Sequence, residues 1–154
     1  MYECSFELNN KPMSAFKIGA VSFPAFSGLR DHVNQRVSAC LAHLGPIPPG
    51  TYYIFDRQSG LLGSLPFYNI FNERSNWFAL YAIDGNIDDD KTYCNKVKRG
   101  LFRLHPKGAQ GISEGCITIE SPGDYQDLRG ILKRATPATV SGSTLQAYGK
   151  VVVR

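Results

Sequence analysis

Arg103-Leu-His-Pro-Lys-Gly-Ala-Gln-Gly-Ile-Ser-Glu-Gly-Cys-Ile117 joins two segments of alternating polarity through a glycine-rich loop. On the first, read as a strand over Arg99–His105, Phe102 and Leu104 face one way while Arg103 and His105 face the other. On the second, Cys116–Glu120, Ile117 and Ile119 share one face while Cys116, Thr118 and Glu120 share the opposite one. If the two strands are neighbours, the thiol of Cys116 and the imidazole of His105 project from one face of one sheet. A free cysteine is more often a buried, inert hydrophobe, and a lone histidine a satisfied polar residue. The shared parity argues against both.

Working outward, the same period-two pattern predicts strands at Tyr2–Leu8, Met13–Ile18, Val21–Phe26, Thr51–Asp56, Trp77–Ile83 and Leu145–Val153. Gly45-Pro-Ile-Pro-Pro-Gly50 enters one of them as a rigid extended turn, because each proline fixes its own φ and restricts its predecessor. Asp31–Leu44 carries Val33, Val37, Leu41 and Leu44 at helical spacing and is read as a loop or a short helix. Asp88-Asp89-Asp90 reads as a solvated loop. Ser121–Ala135 is the clearest helix: Ser121 caps it, Pro122 takes the first position, Asp124 sits at the positive end and Lys133 and Arg134 at the negative end. The expectation is a mainly β, single-domain sandwich over residues 1–154 with one short helix after the Cys116 strand.

The chain has 154 residues, 43% hydrophobic and 19% charged, which suits one folded domain and not two. A net charge of +4 without a run of basic residues makes nucleic acid a poor partner. No apolar stretch is long enough to span a membrane. The N-terminus reads as a strand rather than a signal peptide. The four cysteines, Cys4, Cys40, Cys94 and Cys116, have no zinc spacing, and no metal or cofactor is implied. If Cys116 is a working thiol, at most one intrachain disulfide remains, of undetermined pairing.

The residue types fit acyl transfer. An imidazolium beside a thiol is expected to lower its pKa from about 8.5 to roughly 3.5–7.5. The thiolate attacks an acyl carbon and the imidazolium protonates the leaving amine. Gly115 permits a sharp turn, so the amides of Gly115 and Cys116 are placed to converge on an oxyanion. Ser113 either holds the loop, orients His105 or is a simple turn residue. Arg103, on the face of His105, either pairs with a substrate carboxylate or is a sheet-surface arginine paired with Glu120 or an aspartate. Tyr52, Tyr53 and Trp77 line a cleft or, more conservatively, pack the core. His32 and His43 are read as surface residues.

In these residues the chain resembles the L,D-transpeptidase catalytic domain, the YkuD-like family. The matching positions are His105, Gly108, Ser113, Gly115, Cys116 and Ile117, supported by Ile47-Pro-Pro-Gly-Thr-Tyr-Tyr-Ile54 upstream; together they run from about Phe23 to Glu120. Papain-like enzymes place Cys before His, whereas here His comes first. Glu114 stands where the family usually has His, Thr118 where an Arg is common, and the His–Cys interval is short. Those features, with Phe26-Ser27-Gly28 and Arg99-Gly-Leu-Phe-Arg-Leu-His-Pro106, are similar to a compact subgroup, the type VI secretion L,D-transpeptidase effectors. The resemblance implies a toxin made in the bacterial cytoplasm, delivered by a secretion apparatus to a competitor's periplasm and restrained at home by an immunity protein. It implies peptidoglycan tetrapeptide stems as substrate, with L,D-carboxypeptidase or D-amino-acid exchange chemistry through a Cys116 thioester. Gly115, Ser113 and Glu114 would shape the oxyanion side, and Arg103 and Gly108 would touch substrate. Two other readings stand beside it: a cell-wall peptide-binding module without turnover, motivated by Glu114, and a housekeeping cross-linking enzyme.

Overall fold

The computed structural model describes residues 1–57, 73–87, 91–109, 111 and 113–154; Asp88-Asp89-Asp90 lies outside them. The strands are β1 (Tyr2–Phe6), β2 (Ser14–Ile18), β3 (Val21–Phe26), β4 (Gly50–Asp56), β5 (Phe78–Ala82), β6 (Lys91–Cys94), β7 (Val97–Gly100), β8 (Arg103–Pro106), β9 (Ile117–Ile119), β10 (Ala138–Thr139), β11 (Gln146–Ala147) and β12 (Gly149–Val153). Eight of them close into a barrel in the order β1-β12-β4-β5-β8-β9-β3-β2. The expectation of mainly β structure holds, but the sandwich is corrected to a barrel. Alternation reports that one face of each strand is buried; it is the same in both architectures. Closure comes from β1, which pairs in parallel with β12 on one side and antiparallel with β2 on the other. No local pattern announces a pairing between the two ends of a chain.

Inside the barrel, Phe6, Phe16, Ile54, Phe78, Leu80, Leu104, Ile117 and Ile119 belong to one buried apolar core. Helix α1 (Pro122–Arg134) begins at Ser121, whose Oγ accepts from the Asp124 N–H, and adds Tyr125, Leu128 and Leu132 to that core. The Tyr125 hydroxyl donates to the Asn76 carbonyl at 2.7 Å, pinning the helix to the segment that precedes β5. The predicted cap, first-turn proline and charge order are all present.

One further expectation is corrected, and the Asp31–Leu44 segment, read as a loop or a short helix, resolves as a loop. The run Arg99–His105 is not one strand: Leu101 takes a left-handed φ of 58° and separates β7 from β8. The β7 half folds back on β6 through Asn95 and Lys96, both at positive φ, the signature of a two-residue hairpin turn that matches strand twist. The helical spacing in Asp31–Leu44 is not used; short 3-10 turns form at Arg30–His32 and Arg36–Ser38, and Val37 is 92% exposed. The buried Asn34 fixes that loop, its side-chain oxygen accepting from the Ser27 N–H and its amide donating to the Lys11 carbonyl.

The disulfide left open by sequence is Cys40–Cys94. It ties the Asp31–Leu44 loop to the β6–β7 hairpin across a separation of 54 residues. A bridge closing a loop of that length contributes about 3–5 kcal/mol by chain entropy. Cys4 is a buried core thiol, pushed up to about 12 by desolvation, which is the inert role.

Candidate active site

The site follows from strand register. In β8 and β9, which run parallel, Leu104 is opposite Ile117 and His105 is opposite Thr118. In β5 and β8, which run antiparallel, Phe78 is opposite Leu104 and Ala79 opposite Arg103, so Trp77 continues the ladder beside His105. Asp56 is opposite Phe78, so Arg57 continues it beside Trp77. Residues opposite each other share a face. Arg57, Trp77, His105 and Thr118 therefore form one transverse row on the outer face of the barrel. Two residues along, Ala79, Arg103 and Cys116 form the next row on that face. The shared parity of His105 and Cys116 is thus realised, with Cys116 diagonal to His105 and beside Arg103.

Each member is held by identifiable contacts. The imidazole stacks on Trp77 with centroids 4.3 Å apart and planes 19° from parallel. Its Nδ1 is 2.8 Å from the Pro106 carbonyl oxygen. A carbonyl can only accept, so Nδ1 carries the proton and Nε2 presents its lone pair. The Thr118 hydroxyl, 3.4 Å away, occupies that lone pair. Sequence reasoning passed over Thr118 as a site residue, although parity had already placed it on this face; of its two readings for Trp77, lining a cleft or packing the core, neither had placed the ring on His105.

Ser113 is buried and donates to the Cys116 carbonyl at 2.7 Å. It holds the turn and does not orient His105. Gly115 stands at φ +95°, with Arg99 and Phe102 packed directly behind it. Arg99, missed as a site residue by sequence reasoning, is buried and donates to the carbonyls of Ala39, Gly45 and Pro46. Arg103 donates Nη1 to the Phe102 carbonyl at 2.8 Å. Glu120 pairs with Lys107 at 2.6 Å rather than with Arg103. Gly108 is exposed, and its carbonyl accepts from the Gly111 N–H in a turn beyond β8. Tyr52 belongs to the core and donates to Pro48. His32 is half-buried on Ser38 and His43 is exposed.

The electrostatics correct one expectation. Cys116 is half-buried, and its Sγ has the Leu101 carbonyl at 4.0 Å. Its thiol is pushed up to about 11, chiefly by desolvation; the Arg103 N–H and the charges of Arg103 and Arg57 pull it down, while the Glu114 carboxylate pushes it up. His105 lies below its ordinary value, because burial outweighs the Pro106 hydrogen bond, and Arg74 adds to the lowering. The resting pair is therefore a neutral thiol and a neutral imidazole, not the ion pair that adjacency alone would give. Desolvation disfavours both charges at once. Alkylation of Cys116 by iodoacetamide is accordingly expected to follow a thiolate midpoint near 11 rather than about 8.5. Glu114→Gln should lower that midpoint, and one unchanged by the substitution would show that the carboxylate does not act on the sulfur.

Compared with known proteins, residues 21–143 match the family model described as the Tlde1 domain. No curated protein and no solved structure matches the chain.

Proposed function

The chain belongs to the Tlde1 domain family, a family of type VI secretion effectors, and from that premise we propose that it is a cysteine acyltransferase acting on peptidoglycan tetrapeptide stems. The observation that carries the reading is the outer-face placement of Cys116 diagonal to His105, with the imidazole tautomer fixed so that Nε2 is the basic nitrogen. Being an effector implies a secretion apparatus and an immunity partner. The proposed site of action is the target periplasm, where the Cys40–Cys94 disulfide is compatible with an oxidising compartment.

In the proposed reaction a stem carbonyl, between the L-centre of meso-diaminopimelate and the terminal D-Ala, settles over Cys116. His105 Nε2 exchanges its Thr118 contact for the thiol proton as sulfur bonds to the carbonyl carbon. The oxyanion collects on the amides of Gly115 and Cys116, each such donor contributing about 2.7–4 kcal/mol of transition-state stabilisation. The imidazolium returns its proton to the departing D-Ala nitrogen, leaving a thioester on Cys116. Water then gives tripeptide, or a free D-amino acid gives the exchanged tetrapeptide.

The second reading, a binding module without turnover, is favoured by one observation. Both imidazole nitrogens are engaged by Pro106 and Thr118, and the sulfur lies between the Leu101 carbonyl and the Arg103 N–H. Incubating the purified protein with tetrapeptide muropeptides and following products by mass spectrometry separates the two. Tripeptide, with an acylated Cys116 peptide trapped at short times, is the expected result. Binding without either product would sink the enzyme reading in favour of the module.

A further inference from the structure

The β6–β7 hairpin is a two-stranded sheet of its own, outside the barrel. A hairpin of two strands is marginally stable alone in water, so its fastenings to the body decide where it sits. Opposite residues share a face, and the register puts Thr92 opposite Arg99 and Cys94 opposite Val97. Arg99 and Cys94 therefore project from one face of the hairpin. They reach consecutive residues of the loop between β3 and β4: Arg99 donates to the Ala39 carbonyl, and Cys94 is bonded to Cys40. The other acceptors of the guanidinium are the carbonyls of Gly45, at 3.1 Å, and Pro46, at 3.4 Å.

The same arginine backs the turn that presents Cys116, because its Nη2 stands 2.6 Å from the point where Gly115 would carry a side chain. Arg99 is 4% exposed, and a buried cation is tolerated only where acceptors compensate its lost hydration. Its three acceptors all lie within residues 39–46, the stretch that Cys40 ties down. Leu41, Ala42 and His43 are exposed and both bridge cysteines are half-buried, so the bridge is within reach of an exchange partner in solution. Resting on the reading of Cys116 as the nucleophile, we infer that the Cys40–Cys94 disulfide is a redox latch: only the oxidised protein keeps Arg99 behind Gly115 and so holds Cys116 in its reactive turn. Arg99 is then a positioning residue, and the bridge sets whether it is in place. The latch closes by exchange with a disulfide oxidant, protein or small molecule. One thiolate of the pair attacks an oxidant sulfur and expels the first thiol; the second thiolate attacks the mixed disulfide and expels the other. The protein gives up two protons and two electrons, and the oxidant leaves as two thiols. In a reducing cytosol the reverse exchange keeps the latch open, and in an oxidising compartment it closes.

The test uses the purified full chain with the bridge formed, the same protein opened by a thiol-free phosphine reductant, and Cys40→Ala/Cys94→Ala. Opening the bridge is expected to lower kcat on a tetrapeptide stem by about 10²–10³, the size of a lost oxyanion donor, although a reductant ordinarily preserves a cysteine nucleophile. The double variant should match the opened protein and ignore the phosphine. Arg99→Lys, which keeps the charge and loses the fork, should reproduce the deficit with the bridge intact, and opening its bridge should add nothing. Additive losses would mean that the bridge does not act through Arg99 and would overturn the inference, as would unchanged turnover on opening. If no form turns the stem over, the acyl-transfer reading fails on its own, and amide hydrogen exchange of the closed and opened proteins decides the latch. Faster exchange confined to residues 97–101 and 113–117, with β4 and β12 still protected, supports it. No change in those two segments, or loss of protection throughout the barrel, overturns it.

Discussion

Replacing Cys116 by alanine is expected to abolish tripeptide release, a fall of about 10⁴–10⁶ in kcat, as for removal of other covalent nucleophiles. His105→Ala should cost less at neutral pH, about 10²–10⁴, and its deficit should shrink as pH rises. The sign follows from the two titrations. The imidazole lies below its ordinary value of about 6.5, so it is already neutral and able to accept a proton at pH 7. The native rate should therefore rise through that low pKa and stay flat above it. The thiol, pushed up to about 11, stays protonated across that plateau and, in the proposed reaction, depends on His105 to ionise. Without the imidazole, only spontaneous thiolate can react, and its fraction grows about tenfold per pH unit below the thiol pKa. Rates of the two proteins on a tetrapeptide substrate from pH 5 to about 10 would show converging curves. Parallel curves would mean that His105 does not take the thiol proton.

How much of this was legible in the sequence depends on the range of the interaction concerned. The helix was, because Ser121, Pro122, Asp124 and the terminal Lys133 and Arg134 are local signals acting over one turn. The parity of His105 and Cys116 was, because alternation is a property of a single strand and survives the break at Leu101. The barrel was not, since the β1–β12 pairing joins residues at opposite ends of the chain. Nor was the β6–β7 hairpin, whose turn uses Asn95 and Lys96 rather than a glycine. Trp77 could only be placed on His105 once the β5–β8 register was known. The sign of the thiol shift needed burial as well as charge. A sequence shows that a histidine and a cysteine share a face, but not that both are desolvated enough to lose their charges. Arg99 was invisible as a site residue for a related reason. Its role lies in the carbonyls of Ala39, Gly45 and Pro46, more than fifty residues upstream.

Arg99 leads to the second large effect. A methyl group added at Gly115 would stand 2.6 Å from Arg99 Nη2 and 3.2 Å from Phe102 Cε1. The tip of an arginine usually swings aside at little cost. This one is held by Gly45 at 3.1 Å, by Pro46 and by Ala39, so moving it strips hydrogen bonds from buried carbonyls. The backbone adds its own penalty, because φ is +95° at Gly115 and a side chain there costs about 1–3 kcal/mol. Relief by rotating the peptide would turn the Gly115 and Cys116 amides away from the position that the proposed reaction gives the carbonyl oxygen. Gly115→Ala is therefore expected to lower kcat by about 10²–10³ and to lower unfolding free energy by about 1–3 kcal/mol. Gly130→Ala is the control. It lies inside α1 with nothing within 4 Å of the added carbon, so the same change should stabilise the helix by about 0.5–1 kcal/mol. Urea denaturation and tetrapeptide turnover measured on both variants decide the matter. A Gly115→Ala protein that matched the native one in both would mean that this turn neither needs its glycine nor presents its amides to substrate.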